Sequence, residues 1–323
     1  MTFLTRRSLL SQAAAGLAFA TGGALAQTTW PAKTVTLIVP FPAGGGTDAF
    51  ARPMSGAFAK QTGRTLVIEN KGGAGGTLGA GLAAKAQADG YTLFMGAVHH
   101  AIAPSMYKKL DYDLERDFIP LSLLAKVPQV LVVNPKLMPV ANYQEFLQLV
   151  KANPGKYNYG SAGTGTSHHM AGELFKTFIT HIPYTGAGPA LRDLVGGQVD
   201  MMFDGLGSSA VHIKGGRIKA LMVSGNKRSP AFPDVPCAAE LGLPDYTVST
   251  WYGLWAPKGT PAEVQTRIVD EVNKLAAADD IKTAWATNGA EFGTLTPKQF
   301  GAFVSAEIKQ WAAVVKASGA KLD

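Results

Sequence analysis

Apolar runs and helical spacings alternate along this chain. Thr34 to Val39 is rich in β-branched residues and ends at Pro40, so it reads as a buried strand. The loop Ala43-Gly44-Gly45-Gly46 follows. A helix then starts at Thr47 or Asp48, both capping residue types, and Pro53 is expected to bend or delay it. Leu66 to Glu69 reads as a second strand, Gly72 to Gly81 as a glycine-rich turn into a helix at Leu82 to Ala86, and Tyr91 to Met95 as a third strand. That βαβαβ order predicts a parallel sheet covered on both faces.

The same logic returns further on. A strand at Val130 to Val133 precedes a helix at Tyr143 to Lys151. A short strand at Tyr157 to Gly160 runs into a loop of small residues, Ser161 to Ser167, and then a helix from His168 to Thr177. Val199 to Asp204, Ala220 to Ser224 and Tyr252 to Ala256 are strand-like. Amphipathic helices occupy Pro261 to Ala277 and Phe300 to Ala317. No repeat of solenoid period appears. Two such sheets imply two lobes. Ligands of open α/β sheets sit at the carboxyl ends of the strands, where both small-residue loops fall.

The 323 residues suit two domains, and 46% hydrophobic content against 16% charged excludes disorder as the main state. One cysteine, Cys237, excludes an internal disulfide and a four-cysteine zinc site, and reads as an inert thiol. Residues 1–26 read as an export signal: Arg6 and Arg7, an apolar stretch from Leu9 to Ala20, and Ala24-Leu25-Ala26 before Gln27. The run Thr5-Arg6-Arg7-Ser8-Leu9-Leu10 is similar to a twin-arginine signal, although an ordinary secretory signal carries the same features. The remaining chain is expected outside the cytoplasm, in the periplasm. The formal charge of +7 suits an anionic partner. Its lysines and arginines are scattered and form no nucleic-acid motif.

The loop Phe41-Pro42-Ala43-Gly44-Gly45-Gly46-Thr47-Asp48 joins a strand to a helix. Glycines let its backbone approach a ligand, and the helix start offers unpaired N–H groups and partial positive charge to a carboxylate. Ser161-Ala162-Gly163-Thr164-Gly165-Thr166-Ser167 has the same parts. A P-loop needs Lys where Thr47 stands. Gly79-Ala80-Gly81-Leu82-Ala83-Ala84 matches a dinucleotide fingerprint only formally, starting well past a strand end. A hydrolase elbow needs glycine two residues before the serine, and Ser161 has Tyr159 there. His99-His100 and His168-His169 are adjacent pairs; neighbours on a strand cannot point the same way, so at most one ring of each is expected to face a ligand. No histidine lies in a zinc-protease motif. Asp204 closes an apolar run, where a carboxylate usually has a purpose or a partner. Asp48 is either a ligand contact or a helix cap.

Pro40 to Asp48, Glu69-Asn70-Lys71-Gly72-Gly73-Ala74-Gly75-Gly76 and Asp89-Gly90-Tyr91-Thr92-Leu93 together resemble the Bug family, the extracytoplasmic binding proteins of tripartite tricarboxylate transporters. The likeness continues in order through Tyr159-Gly160-Ser161-Ala162-Gly163, His169 to Phe175, His181-Ile182-Pro183-Tyr184, Gly197-Gln198-Val199-Asp200 and Phe232-Pro233-Asp234-Val235-Pro236. The resemblance implies an α/β, two-lobed type II periplasmic binding protein fold. Each lobe is then an α/β sandwich with a mixed, mostly parallel sheet, hinged by crossing segments. It implies a cleft for a small carboxylate. The first-lobe contacts would be Phe41, Ala43, Gly44, Gly45, Thr47 and Asp48. Those of the second would be Ser161, Ala162, Thr164, Thr166 and Ser167, with Asp204 at the cleft wall and His100 and His169 where members often carry histidine. His99 and His168 depart from the family pattern. So does the short stretch Thr177-Phe178-Ile179-Thr180, which makes Tyr184 a less secure contact.

The expected division is lobe 1 at 27–124 plus 248–323 and lobe 2 at 125–247. The expected function is capture of a carboxylate for the permease subunits of a tripartite tricarboxylate transporter, by a monomer with no cofactor, metal or nucleic-acid partner. The alternatives are a ligand-sensing subunit for a membrane receptor kinase and a serine hydrolase.

Overall fold

The computed structural model describes residues 30–173, 178–291 and 295–320. The expected export signal and the end of the helix expected to reach Thr177 lie outside them. The first half opens with β1 (Val35–Val39), α1 (Gly46–Thr62), β2 (Leu66–Asn70), α2 (Thr77–Ala84), β3 (Thr92–Ala97) and α3 (His99–Met106). Pro53 sits inside α1, and the helix still starts at Gly46, so the expected delay does not occur. Proline removes only the bond its own N–H would make, and burial of Phe50, Met54 and Phe58 holds the helix on the sheet.

The long strand β4 (Phe118–Val133) joins the halves. The second half then brings α4 (Tyr143–Ala152), β5 (Tyr157–Ser161), α5 (Ser167–Gly172), β6 (Ile179–Pro183), α6 (Ala187–Gly196), β7 (Met201–Gly205), α7 (Leu206–Lys214) and β8 (Lys219–Val223). The chain returns to the first half through β9 (Ser249–Pro257), α8 (Ala262–Ala277), α9 (Asp279–Thr287) and α10 (Pro297–Ser318). A capping box between Thr296 and Gln299 starts α10.

The strands follow the order β2-β1-β3-β9-β4-β7-β5-β6, with β8 also on β4. The outer pairs β1–β2, β1–β3, β5–β6 and β5–β7 are parallel, and the pairs that involve the crossing strands β4 and β9 are antiparallel. From Phe118 to Pro128, β4 pairs with β9; from Gln129 to Val133 it pairs with β7. Register shifts interrupt its pairing after Pro120 and Leu123. Such bulges add bend and twist, which lets one strand serve two differently oriented sheets. Trp251, Trp255, Phe300 and Trp311 form a core under α10. Phe146, Tyr159 and Phe203 form another in the second half. A third cluster runs from Val35 and Phe50 through Val130 to Leu191 and Leu206, binding the halves together.

Candidate functional site

A cavity of about 10 Å³ lies where the halves meet, lined by Phe41, Gly45, Gly46, Thr47, His99, Ala162, His168, Ala187, Ser208 and Tyr252. That is scarcely the room of one water, so no larger ligand fits in this arrangement of the halves. Five helices begin at this cavity. Gly46 and Thr47 open α1, His99 opens α3, His168 lies in the first turn of α5, Ala187 opens α6 and Ser208 lies in the first turn of α7. The N-caps of α1, α6 and α7 are Gly45, Gly186 and Gly205, and no side chain caps them. Their unpaired N–H groups and positive dipole ends favour an anion. No lysine or arginine lines the cavity.

The first glycine loop is braced from beneath. Asp48 Oδ2 accepts from the Gly44 amide at 3.0 Å and from Arg52 Nε at 2.6 Å, and its Oδ1 accepts from Asn70 Nδ2 at 3.0 Å. Asn70 also donates to the Phe41 carbonyl. Asp48 is buried and holds the loop in shape, away from the cavity lining. Ala43 and Gly44 form an exposed rim. Gly44 has φ +85°, a left-handed backbone that glycine adopts without strain.

The second loop uses its own amides. Gly163 N–H donates to Ser161 Oγ at 3.1 Å, Gly165 N–H to His169 Nδ1 at 3.3 Å, and Ser167 N–H to His99 Nδ1 at 3.1 Å. Thr166 caps α5, accepting from the His169 amide, and its hydroxyl donates to the Gly163 carbonyl. Thr164 touches Tyr107 through its carbonyl. The expectation gave these amides to a ligand. In this structure neighbouring groups take them, and Ala162 alone of this loop lines the cavity.

The paired histidines sit at helix starts, not on strands, so adjacent rings diverge by about 100° around the axis. His99 and His168 face the cavity, and His100 and His169 turn inward. His100 Nδ1 lies 3.0 Å from both the amide nitrogen and the carbonyl oxygen of Ala97, and its Nε2 meets the Gly76 carbonyl at 3.3 Å; burial pushes its pKa down to about 4. His169 lies 3.3 Å from Glu173 and stacks on His181. His100 and His169 therefore support the site without lining it. Two serine–histidine pairs that the hydrolase alternative could use lie within hydrogen-bond distance among the described residues: Ser161 Oγ with His181 Nε2 at 2.7 Å, and Ser167 Oγ with His99 Nδ1 at 3.4 Å. Both serines are fully buried and neither lines the cavity, although His99 does.

Asp204 has no solvent exposure. Its Oδ2 accepts from Ser208 and Ser209 at 2.7 and 2.6 Å. Its Oδ1 faces His168 Nδ1 at 3.5 Å, and neither of those two atoms makes a hydrogen bond. It stands behind the wall that His168 and Ser208 present. Ala187, Ser208 and Tyr252 line the cavity and are absent from the expected contacts, and Gly46, expected only to let the loop backbone approach a ligand, lines it too. Of these Ser208 had a signal, being one helical turn beyond Asp204. Tyr184, the insecure contact, donates to Asp193 at 2.7 Å and does not line the cavity.

Residues 50–320 match the family model of the tripartite tricarboxylate transporter family receptor. The chain is 36% identical over 316 residues to Protein BugT of Bordetella pertussis, covering 95% of this chain and 97% of that one. Its structure is similar to that of the periplasmic binding protein BugD, with a TM-score of 0.86 and 35% identity over 90% of this chain and 99% of the other. It is likewise similar to an R. palustris protein solved with adipate, with a TM-score of 0.84 and 36% identity over 91% of this chain and 100% of the other.

Proposed function

This chain belongs to the tripartite tricarboxylate transporter receptor family of solute-binding proteins, and we propose that it captures a small carboxylate between its two halves and presents it to membrane permease subunits. It acts in the periplasm, after export, as a binder and not as an enzyme. The observation that carries this reading is the convergence of five helix starts on one cavity that contains no fixed cation. A carboxylate is the common metabolite group that such an arrangement of dipoles and imidazoles satisfies. The adipate in the R. palustris relative is in keeping with it.

The halves act as lobes dividing near residues 124 and 248, and they hinge where β4 and β9 cross. A ligand that favours the closed arrangement drives closure by its difference in affinity for the two states. Thermal-shift screening tests the reading. Carboxylates such as adipate are expected to raise the melting temperature, since a ligand that binds only the native state stabilises it by mass action. Stabilisation by neutral sugars with none by any acid overturns it.

A further inference from the structure

Resting on the carboxylate reading above, the geometry points to His168 as a proton-binding anchor: capture of the ligand carboxylate is coupled to uptake of a proton by its imidazole. Five histidines surround the site, and their hydrogen bonds separate them. His99 and His169 each accept a backbone N–H at Nδ1, from Ser167 and Gly165 respectively, and His100, whose Nδ1 lies 3.0 Å from both the amide and the carbonyl of Ala97, does not line the cavity. His181 Nε2 shares its bond with the Ser161 hydroxyl, which also accepts from Gly163. An imidazolium donates from both nitrogens. A second proton on His99 or His169 would set a donor against a donor, and on His99 it would break a bond between the two halves. His168 is different. Its Nδ1 faces the Asp204 carboxylate at 3.5 Å and accepts from no N–H or O–H.

His168 lines the cavity while its Nδ1 faces Asp204, which does not line it, so a ligand carboxylate in the cavity meets the same ring. The closed complex then has an imidazolium that meets two carboxylates. The balance is simple: neutral His168, a proton from solvent and the ligand anion give an imidazolium–carboxylate pair. No bond between heavier atoms changes, and the proton leaves with the ligand. Without a ligand, burial holds the His168 pKa below its ordinary value, with Asp204 opposing that shift. A second anion in the buried site adds to the side of Asp204.

The other ionisable groups do not take this role. On α3, His99 is held neutral by burial and by its contact with His168. Burial keeps the Tyr252 phenol on β9 protonated. On α7, burial lowers the pKa of His212, which also feels Asp204. Asp48 and Arg52 on α1 pair with each other, and His169 on α5 faces Glu173 just past its end.

Calorimetric titration with adipate, between about pH 6.5 and 8.5 where the acid is fully ionised, tests the inference in buffers of different ionisation enthalpy. The expected result is uptake of close to one proton per adipate, with affinity falling up to about tenfold per pH unit. His168→Gln is expected to flatten that profile and abolish the uptake, and Asp204→Asn to move it to lower pH. Adipate binding with flat affinity and no proton uptake overturns the inference and leaves the carboxylate reading in place, as does uptake that persists in His168→Gln. Failure of every acid in a carboxylate panel to bind overturns that reading and this inference together. If either variant fails to fold, the proton count of the unaltered protein decides.

Discussion

Asp48 shows how a residue that reads as a ligand contact becomes part of the frame. Its two oxygens accept from Gly44, Arg52 and Asn70, which fixes the glycine loop, the first turns of α1 and the end of β2 to one another. Removing a buried acceptor leaves its donors unsatisfied, so Asp48→Ala is expected to lower stability by about 2–3 kcal/mol, read from the urea midpoint. An unchanged midpoint would show that the loop holds its shape without this carboxylate. The sequence offered either a helix cap or a ligand group at this position. It could not decide, because Asn70, the partner that completes the arrangement, lies on another strand. Asp204 differs in kind. One oxygen is satisfied by serines of its own neighbouring helix, a local pattern, and the other waits on His168 from a helix far away in sequence.

The elements meet at helix starts. Alternation and periodicity placed β1, β2, β3 and α4 close to where they lie, and they missed α3, α6, α7 and α9. Short, small-residue helices such as α3 bury almost every side chain and so show no polar face to read. The missed helices include three of the five that open on the cavity. At the start of α6, Gly188 packs directly on the first glycine loop. A Cβ there would run into the Ala43 carbonyl and come within 3.1 Å of the Gly44 carbonyl carbon. That contact crosses between the halves, so Gly188→Ala is expected to obstruct closure while each half stays folded. Affinity for a carboxylate ligand is expected to fall roughly tenfold or more, about 1.4 kcal/mol, with the denaturation midpoint close to that of the unaltered protein. Calorimetry and urea unfolding on the same variant check both parts, and equal loss in both would mean simple misfolding.

At the scale of the whole molecule, folding buries imidazoles that titrate near neutrality in an unfolded chain. Burial lowers the pKa of His100 to about 4 and, with help from His169, that of His181 to about 3; it lowers those of His99 and His168 as well. A lowered folded-state pKa means that the unfolded chain binds more protons, so stability rises with pH through this window. Stability is therefore expected to be full above the ordinary histidine value of 6.5 and to fall steadily as pH drops from there toward 4. Urea midpoints across that range check it, and a flat profile would mean that these rings are not held neutral. The α/β character, most strands and the two small-residue loops at strand ends are legible in the chain alone. Those follow from local periodicity and from residues whose backbone freedom is their own. Three-dimensional packing settles the rest: which amides the loops keep for themselves, that five helix starts share one cavity, and that His99 and His168 face it while His100 and His169 do not. These depend on partners brought together from opposite halves by β4 and β9, and no local pattern in a chain encodes which distant group will satisfy a buried donor.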